Sequence, residues 1–210
     1  MSARRLTRLG AAAAFLVGSA LPALAHHVMG GKMPGTFGQG FLSGLGHPVI
    51  GIDHLLFIVG AGLLAGMLGR PLLLPLALVV GAWVGAALHL AGLSIGFNEA
   101  AIVVTVALMA AAVIAGPRFP AVPLAALVGV AGLFHGYAYA ETIFGAEPTP
   151  LYAYLAGFAA VQFAIAFAAA WVFERISTSD ARLARTCSQV AGGAMVGVAL
   201  VAISNMAFGS

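Results

Sequence analysis

His47-Pro48-Val49-Ile50-Gly51-Ile52-Asp53-His54-Leu55-Leu56-Phe57-Ile58-Val59-Gly60-Ala61-Gly62-Leu63-Leu64-Ala65 places two imidazoles and a carboxylate at the mouth of a long apolar run. A run of this kind reads as a lipid-spanning helix. Ionisable groups are expensive there, about 2.5–3.5 kcal/mol for an Asp at a helix centre, and they persist where something binds them. Two imidazoles beside one carboxylate suit a borderline divalent transition metal.

Composition sets the class. The chain is 62% hydrophobic and 7% charged, and its mean hydropathy of +1.07 is far beyond the half-apolar balance of soluble domains. We read an all-α polytopic membrane protein. Residues 1–25 have the form of a cleavable signal peptide: Arg4, Arg5 and Arg8, then the apolar run Leu9–Leu16, then small residues ending Ala23-Leu24-Ala25. Cleavage after Ala25 removes three of the nine basic residues and leaves six, equal to the six acidic ones. A neutral mature chain has no basic patch for nucleic acid. The single Cys187 excludes an internal disulfide and any multi-cysteine metal site.

Residues 26–36 then form a tail and 37–210 one transmembrane domain. Spanning runs fall at 50–69, 71–93, 98–116, 119–144, 150–173 and 186–208, with a Gly- and Phe-rich half-helix at 37–46 ahead of the first. Turn residues such as Gly69-Arg70-Pro71 and Gly116-Pro117-Arg118 punctuate them. Arg70, Arg118 and the group Arg175, Arg182 and Arg185 lie in the first, third and fifth connections, whereas the second and fourth carry Glu99 and Glu147 without Lys or Arg. Positive loops face the cytoplasm, so both mature termini are expected in the periplasm. Gly62-x3-Gly66, Gly81-x3-Gly85 and Gly193-x3-Gly197 are expected to let helices cross closely. Tyr152 and Tyr154 at one end of the fifth span and Trp171 at the other fit aromatic belts.

In that frame the polar groups sort by depth. His47, Asp53 and His54 open the first span, His89 ends the second, Glu99 begins the third, and His135 lies roughly 24 Å along the fourth, with Glu141 nearer its end. His47 is expected to be extended, because it precedes Pro48, and Pro48 to begin the helix. The candidate site is therefore His47, Asp53, His54, His89, Glu99, His135 and Glu141, with His26 and His27 as a capture pair outside the membrane. Gly30-Gly31-Lys32-Met33 fails the spacing and last residue of a phosphate-binding loop, so ATP hydrolysis is not expected.

His47-x5-Asp53-His54 followed by an apolar helix resembles the signature of the HupE/UreJ family of membrane proteins. The second motif of that family reads FHGxAHGxE. The corresponding residues here are Phe134-His135-Gly136-Tyr137-Ala138-Tyr139-Ala140-Glu141-Thr142. Phe134, His135, Gly136 and Ala138 match; Tyr139 stands for the second histidine, and the acid falls one place early, with Thr142 in its slot. The resemblance carries over to His47, Asp53, His54 and His135 directly and to Glu141 through that offset, while Glu99 resembles an acid near the start of the family's third span. What it implies is nickel uptake, with cobalt in some members, in the service of hydrogenases and ureases. The expectation is a secondary permease of the bacterial inner membrane, driven by membrane potential or proton gradient. Its partners are the divalent ion, the lipid bilayer and cytoplasmic nickel chaperones. It has no resident cofactor, the ion being substrate, and it is not an enzyme. A membrane-embedded metalloenzyme and a metal sensor are the competing readings.

Overall fold

The computed structural model describes residues 33–208. The expected signal peptide and His26 and His27 lie outside the described residues. Seven helices and no strands are found among them: α1 (Phe37–Ile50), α2 (Ile52–Met67), α3 (Leu73–Leu90), α4 (Asn98–Ala115), α5 (Ala121–Glu141), α6 (Pro148–Ser179) and α7 (Ala181–Phe208). Five of these, α3 to α7, are long and apolar enough to cross a bilayer, and the bent pair α1 and α2 makes six if it counts as one crossing. The outer faces of the helices are largely apolar, with Leu76, Val80, Val104, Leu108, Leu127, Val190 and Leu200 all exposed. Such a surface on helices of this length is that of a multi-pass membrane protein.

The first crossing differs from its expected form. Helix α1 runs through His47 and Pro48 to Ile50, and the break comes at Gly51, where the chain turns by 80°. His47 is therefore helical, and Pro48 lies inside α1 rather than at the start of α2. The physical reason is local. Gly51 adopts an extended conformation (φ −72°, ψ 100°), and a Cβ there would come within 2.7 Å of the His54 ring. Only glycine lets the turn sit so close to that imidazole. Helix α2 alone, at 16 residues, reaches about 24 Å, short of a hydrocarbon core of about 30 Å. It needs α1.

Helix α6 shows how the two halves join. Gly40 and Gly44 of α1 abut Pro150 and Tyr154, and Gly62 and Gly66 of α2 abut Ala166 and Ala170. Both halves thus advance in the same direction along one long neighbour. In the other principal pair, Gly81 and Gly85 of α3 meet the carbonyls of Gly129 and Leu133 on α5, and Gly136 meets Ala82. Small residues carry both contacts, as membrane helix packing favours. The third expected glycine pair behaves otherwise: Gly193 and Gly197 have nothing near them, and it is Gly192 that packs on Ile114 and Ala110 of α4. The pair faces outward because α7 buries a different stripe, through Ala184, Ser188, Gly192, Met195 and Ala199.

The connection between α6 and α7 is shorter than the sequence suggested. Both helices continue to Asp180, whose carboxylate accepts hydrogen bonds from the backbone N–H groups of Arg182 and Leu183, both at 2.9 Å. Asp180 thereby caps α7. Arg175 lies 5.3 Å above the Trp171 ring, a cation–π contact.

Candidate metal centre

At the bend between α1 and α2, polar side chains from five helices meet. His54 on α2 and His135 on α5 face each other with their Nδ1 atoms 2.8 Å apart. His135 is stacked on Phe57 with ring centroids 4.1 Å apart and is only 1% exposed. On its far side, His135 Nε2 lies 3.1 Å from the Thr105 hydroxyl, which donates its proton to the Ile102 carbonyl at 2.8 Å. A hydroxyl committed in that way accepts from Nε2–H, so the lone pair of His135 is on Nδ1, directed at His54. A hydrogen bond of this sort on the far side of the ring fixes which nitrogen can ligate.

His47 is oriented in the same manner. Its Nδ1 is 2.8 Å from the Tyr154 hydroxyl and 3.2 Å from the Thr142 hydroxyl. Both hydroxyls also lie on the Tyr139 carbonyl, Tyr154 at 3.0 Å and Thr142 at 2.9 Å. The two hydroxyls are also 3.1 Å from each other; when both donate to the Tyr139 carbonyl, His47 carries its proton on Nδ1 and its lone pair on Nε2. The His47 ring stands 6.1 Å from that of His54, centroid to centroid, and Tyr139 packs against both, at 5.1 Å and 4.6 Å. Asp53 is half-buried beside His54, within electrostatic reach of His135 and Tyr139.

The remaining candidates gather elsewhere. His89, half-buried, is held edge-on by Tyr137 and Phe144, at 4.6 Å and 5.3 Å. Its Nδ1 is buried with no hydrogen-bond partner. Glu141 is at the surface, in electrostatic reach of His89 and Glu99. The seven expected residues within the described segment therefore divide into two neighbourhoods, His47, Asp53, His54 and His135 in one and His89, Glu99 and Glu141 in the other. Among the described residues, no group of three or more His, Cys, Asp or Glu side chains is arranged to hold an ion.

Several residues of the first neighbourhood escaped the sequence reading. Tyr154 is not part of an aromatic belt: it is buried and hydrogen-bonded to His47, whereas Tyr152, two residues earlier, is exposed. The spacing i, i+2 on a helix, which turns two side chains roughly 160° apart, was the available signal. Thr105 and Thr142 are small hydroxyls in apolar helices and carry no pattern of their own. Beneath Tyr139 lies Gln162 of α6, fully buried, with both amide atoms lacking a partner, as does the Tyr139 hydroxyl. The phenol and the amide face each other without reaching hydrogen-bond geometry. Buried polar groups left unpaired cost about 1–3 kcal/mol each.

The donors of the first neighbourhood are of the kind that suit a borderline divalent ion. Two imidazole nitrogens at right angles around one ion, each about 2.0–2.1 Å from it, are about 2.9 Å apart. The separation of the two Nδ1 atoms matches a shared proton and a shared cation equally well. The fold and this cluster define a class: a polytopic helical membrane protein with a desolvated imidazole cluster at one end of its bundle.

Comparison with known proteins gives the family. Residues 14–202 match the model of the HupE/UreJ protein family, and the chain belongs to it. It is also similar to Protein HupE of Rhizobium leguminosarum bv. viciae, 35% identical over 127 residues, which cover 59% of this chain and 63% of that relative. The match thus spans somewhat under two thirds of the relative's length. No solved structure matches.

Proposed function

We propose that this protein is a secondary permease that carries Ni²⁺ or Co²⁺ from periplasm to cytoplasm across the bacterial inner membrane, for the maturation of hydrogenase or urease. The observation that carries the reading is the His54–His135 pair, two nitrogens 2.8 Å apart in the interior of a lipid-facing bundle. Family membership supports it independently. We take α1 and α2 as one broken crossing, which makes six crossings and puts both mature termini in the periplasm. The direction in which both halves follow α6 supports this count. Discontinuous helices at a midplane or near-midplane site are a recurring transporter device.

An arriving ion takes the place of the proton between the two Nδ1 atoms, that proton passing to His54 Nε2 as the ring adopts its other neutral tautomer, and His47 stands beside them as a further imidazole donor. Imidazole and carboxylate donors hold such ions well enough to strip water yet weakly enough to release them. Asp53 offsets part of the charge. The ion itself is substrate. Inside-negative potential favours a doubly charged ion by about 4.6 kcal/mol per 100 mV, enough for about three decades of accumulation.

Radiolabelled nickel in intact cells tests this. Accumulation in the cell interior is expected, falling to background in His54→Ala while the protein remains in the membrane. Nickel bound to the membrane with no interior accumulation would instead favour the enzyme or sensor readings. Competition by cobalt, copper and zinc then ranks the substrates.

A further inference from the structure

The two fully buried residues Tyr139 and Gln162 are both left with unpaired polar atoms, and they face one another. That concentration is unusual, since in a membrane interior backbone and side-chain polar groups are satisfied internally. Depth follows from the helix register. Gly62 meets Ala166 and Gly66 meets Ala170, so α2 and α6 advance in step. Gln162, one turn before Ala166, is therefore level with Ile58, one turn beyond His54. Tyr139 bridges the two levels: its ring packs on His47 and His54 above and on Phe158 of α6, 5.3 Å away and one turn before Gln162. The unpaired phenol and amide thus lie about one helical turn beyond the imidazoles, on the side away from the bend.

We propose that Tyr139 and Gln162 form the next station for the transported cation, an oxygen-donor step that takes the divalent ion, with the water it still holds, from the histidines and passes it on. This rests on the permease reading above. The chemistry differs from that of the upper site in the right direction. A protonated phenol and a carboxamide oxygen are neutral, hard donors, which hold Ni²⁺ or Co²⁺ more weakly than imidazole does. An ion leaving a nitrogen site needs a weaker site to leave to, because conduction requires binding that is favourable enough to accept it and weak enough to let it go. Tyr139 occupies the slot in which the second motif has a histidine. In this chain the substitution replaces a nitrogen donor of that motif by an oxygen, and Gln162 adds a second oxygen beside it.

The test uses the whole protein in proteoliposomes with an imposed inside-negative potential, radiolabelled Ni²⁺ outside, and thermal stabilisation by Ni²⁺ as a separate measure of binding. Gln162→Leu removes two unpaired polar atoms, so a purely structural glutamine predicts equal or greater stability and unchanged transport. The proposal predicts a roughly tenfold lower maximal rate, with half-saturation within about twofold of wild type and Ni²⁺ stabilisation retained. Gln162→Met, nearer in shape, repeats the experiment should the leucine disturb packing. Tyr139→His restores a nitrogen donor and is expected to lower half-saturation and maximal rate together. Transport at the wild-type rate in both Gln162 variants overturns the proposal, as does loss of Ni²⁺ stabilisation in them, which would put Gln162 in the first binding set. Wild-type protein that neither binds nor carries Ni²⁺ overturns the permease reading itself.

Discussion

His54 and His135 face each other across 2.8 Å with Thr105 behind one and an aromatic wall around both, whereas His89 is gripped edge-on by Tyr137 and Phe144 and has its acidic neighbours, Glu99 and Glu141, at or near the surface. Both neighbourhoods lie at the same end of the bundle, where α1 bends, α3 and α5 finish, and α4 and α6 start. They differ in how their imidazoles are held. Hydroxyls hold one ring nitrogen of His47 and one of His135, so both rings are oriented. Nothing among the described residues bonds to His89 Nδ1. Fixed direction and low dielectric favour a demanding, dehydrated ligand set, while acids in contact with water attract cations over a distance without choosing among them. On the proposed function, the first neighbourhood is the one expected to select and the second the one expected to steer.

The sharpest way to break that division is to remove one histidine from each. His135→Ala should reduce nickel uptake by a hundredfold or more, roughly the upper range for loss of a metal-site partner. His89→Ala should reduce it less than about fivefold, an effect of the size electrostatic steering supplies. Equal losses in the two variants would merge the neighbourhoods into one site.

A middle-sized effect tests the orientation argument. Tyr154→Phe keeps the ring in place beside Phe158 but deletes the hydroxyl at His47 Nδ1. With Thr142→Val it removes both groups that fix the His47 proton. Half-saturation should rise about tenfold for the single variant. The pair should show less than the product of the separate losses, because both hydroxyls act on one imidazole. A double variant with unchanged half-saturation would show that His47 needs no orientation and takes no part in binding.

Much of this was legible in the sequence. Hydropathy placed α3, α4 and α5 within three residues at each end, because each is one apolar run closed by Gly or Pro. Family-like spacing singled out His47, His54 and His135, which do converge. The bend was placed wrongly for a physical reason: Pro48 is a stronger breaker than glycine in isolation, yet the chain turns at Gly51, where the crowding of His54 decides. A contact three residues along the chain outweighed the preference of the proline. The hydroxyls of Thr105 and Thr142 were invisible because a single oxygen in an apolar helix has no period and no spacing. Glu141 illustrates the same limit. One residue separates it from Thr142, and on a helix that is a rotation of about 100°, which turns the carboxylate to the surface and a hydroxyl to His47.

That rotation supports the smallest expected effect. If Glu141 and Glu99 attract cations from solution and do not ligate, Glu99→Gln with Glu141→Gln should lower uptake about two- to fivefold at scarce metal and low ionic strength. At saturating metal the maximal rate should be that of the wild type. Raising the ionic strength to about 0.15 M, where screening acts beyond roughly 8 Å, should shrink the difference further. A dependence on metal concentration and salt together is the mark of steering, since a lost ligand lowers affinity whatever the salt. Salt-independent loss in the double variant would move both acids into the selecting neighbourhood and leave His89 as the residue whose partners there have to be sought.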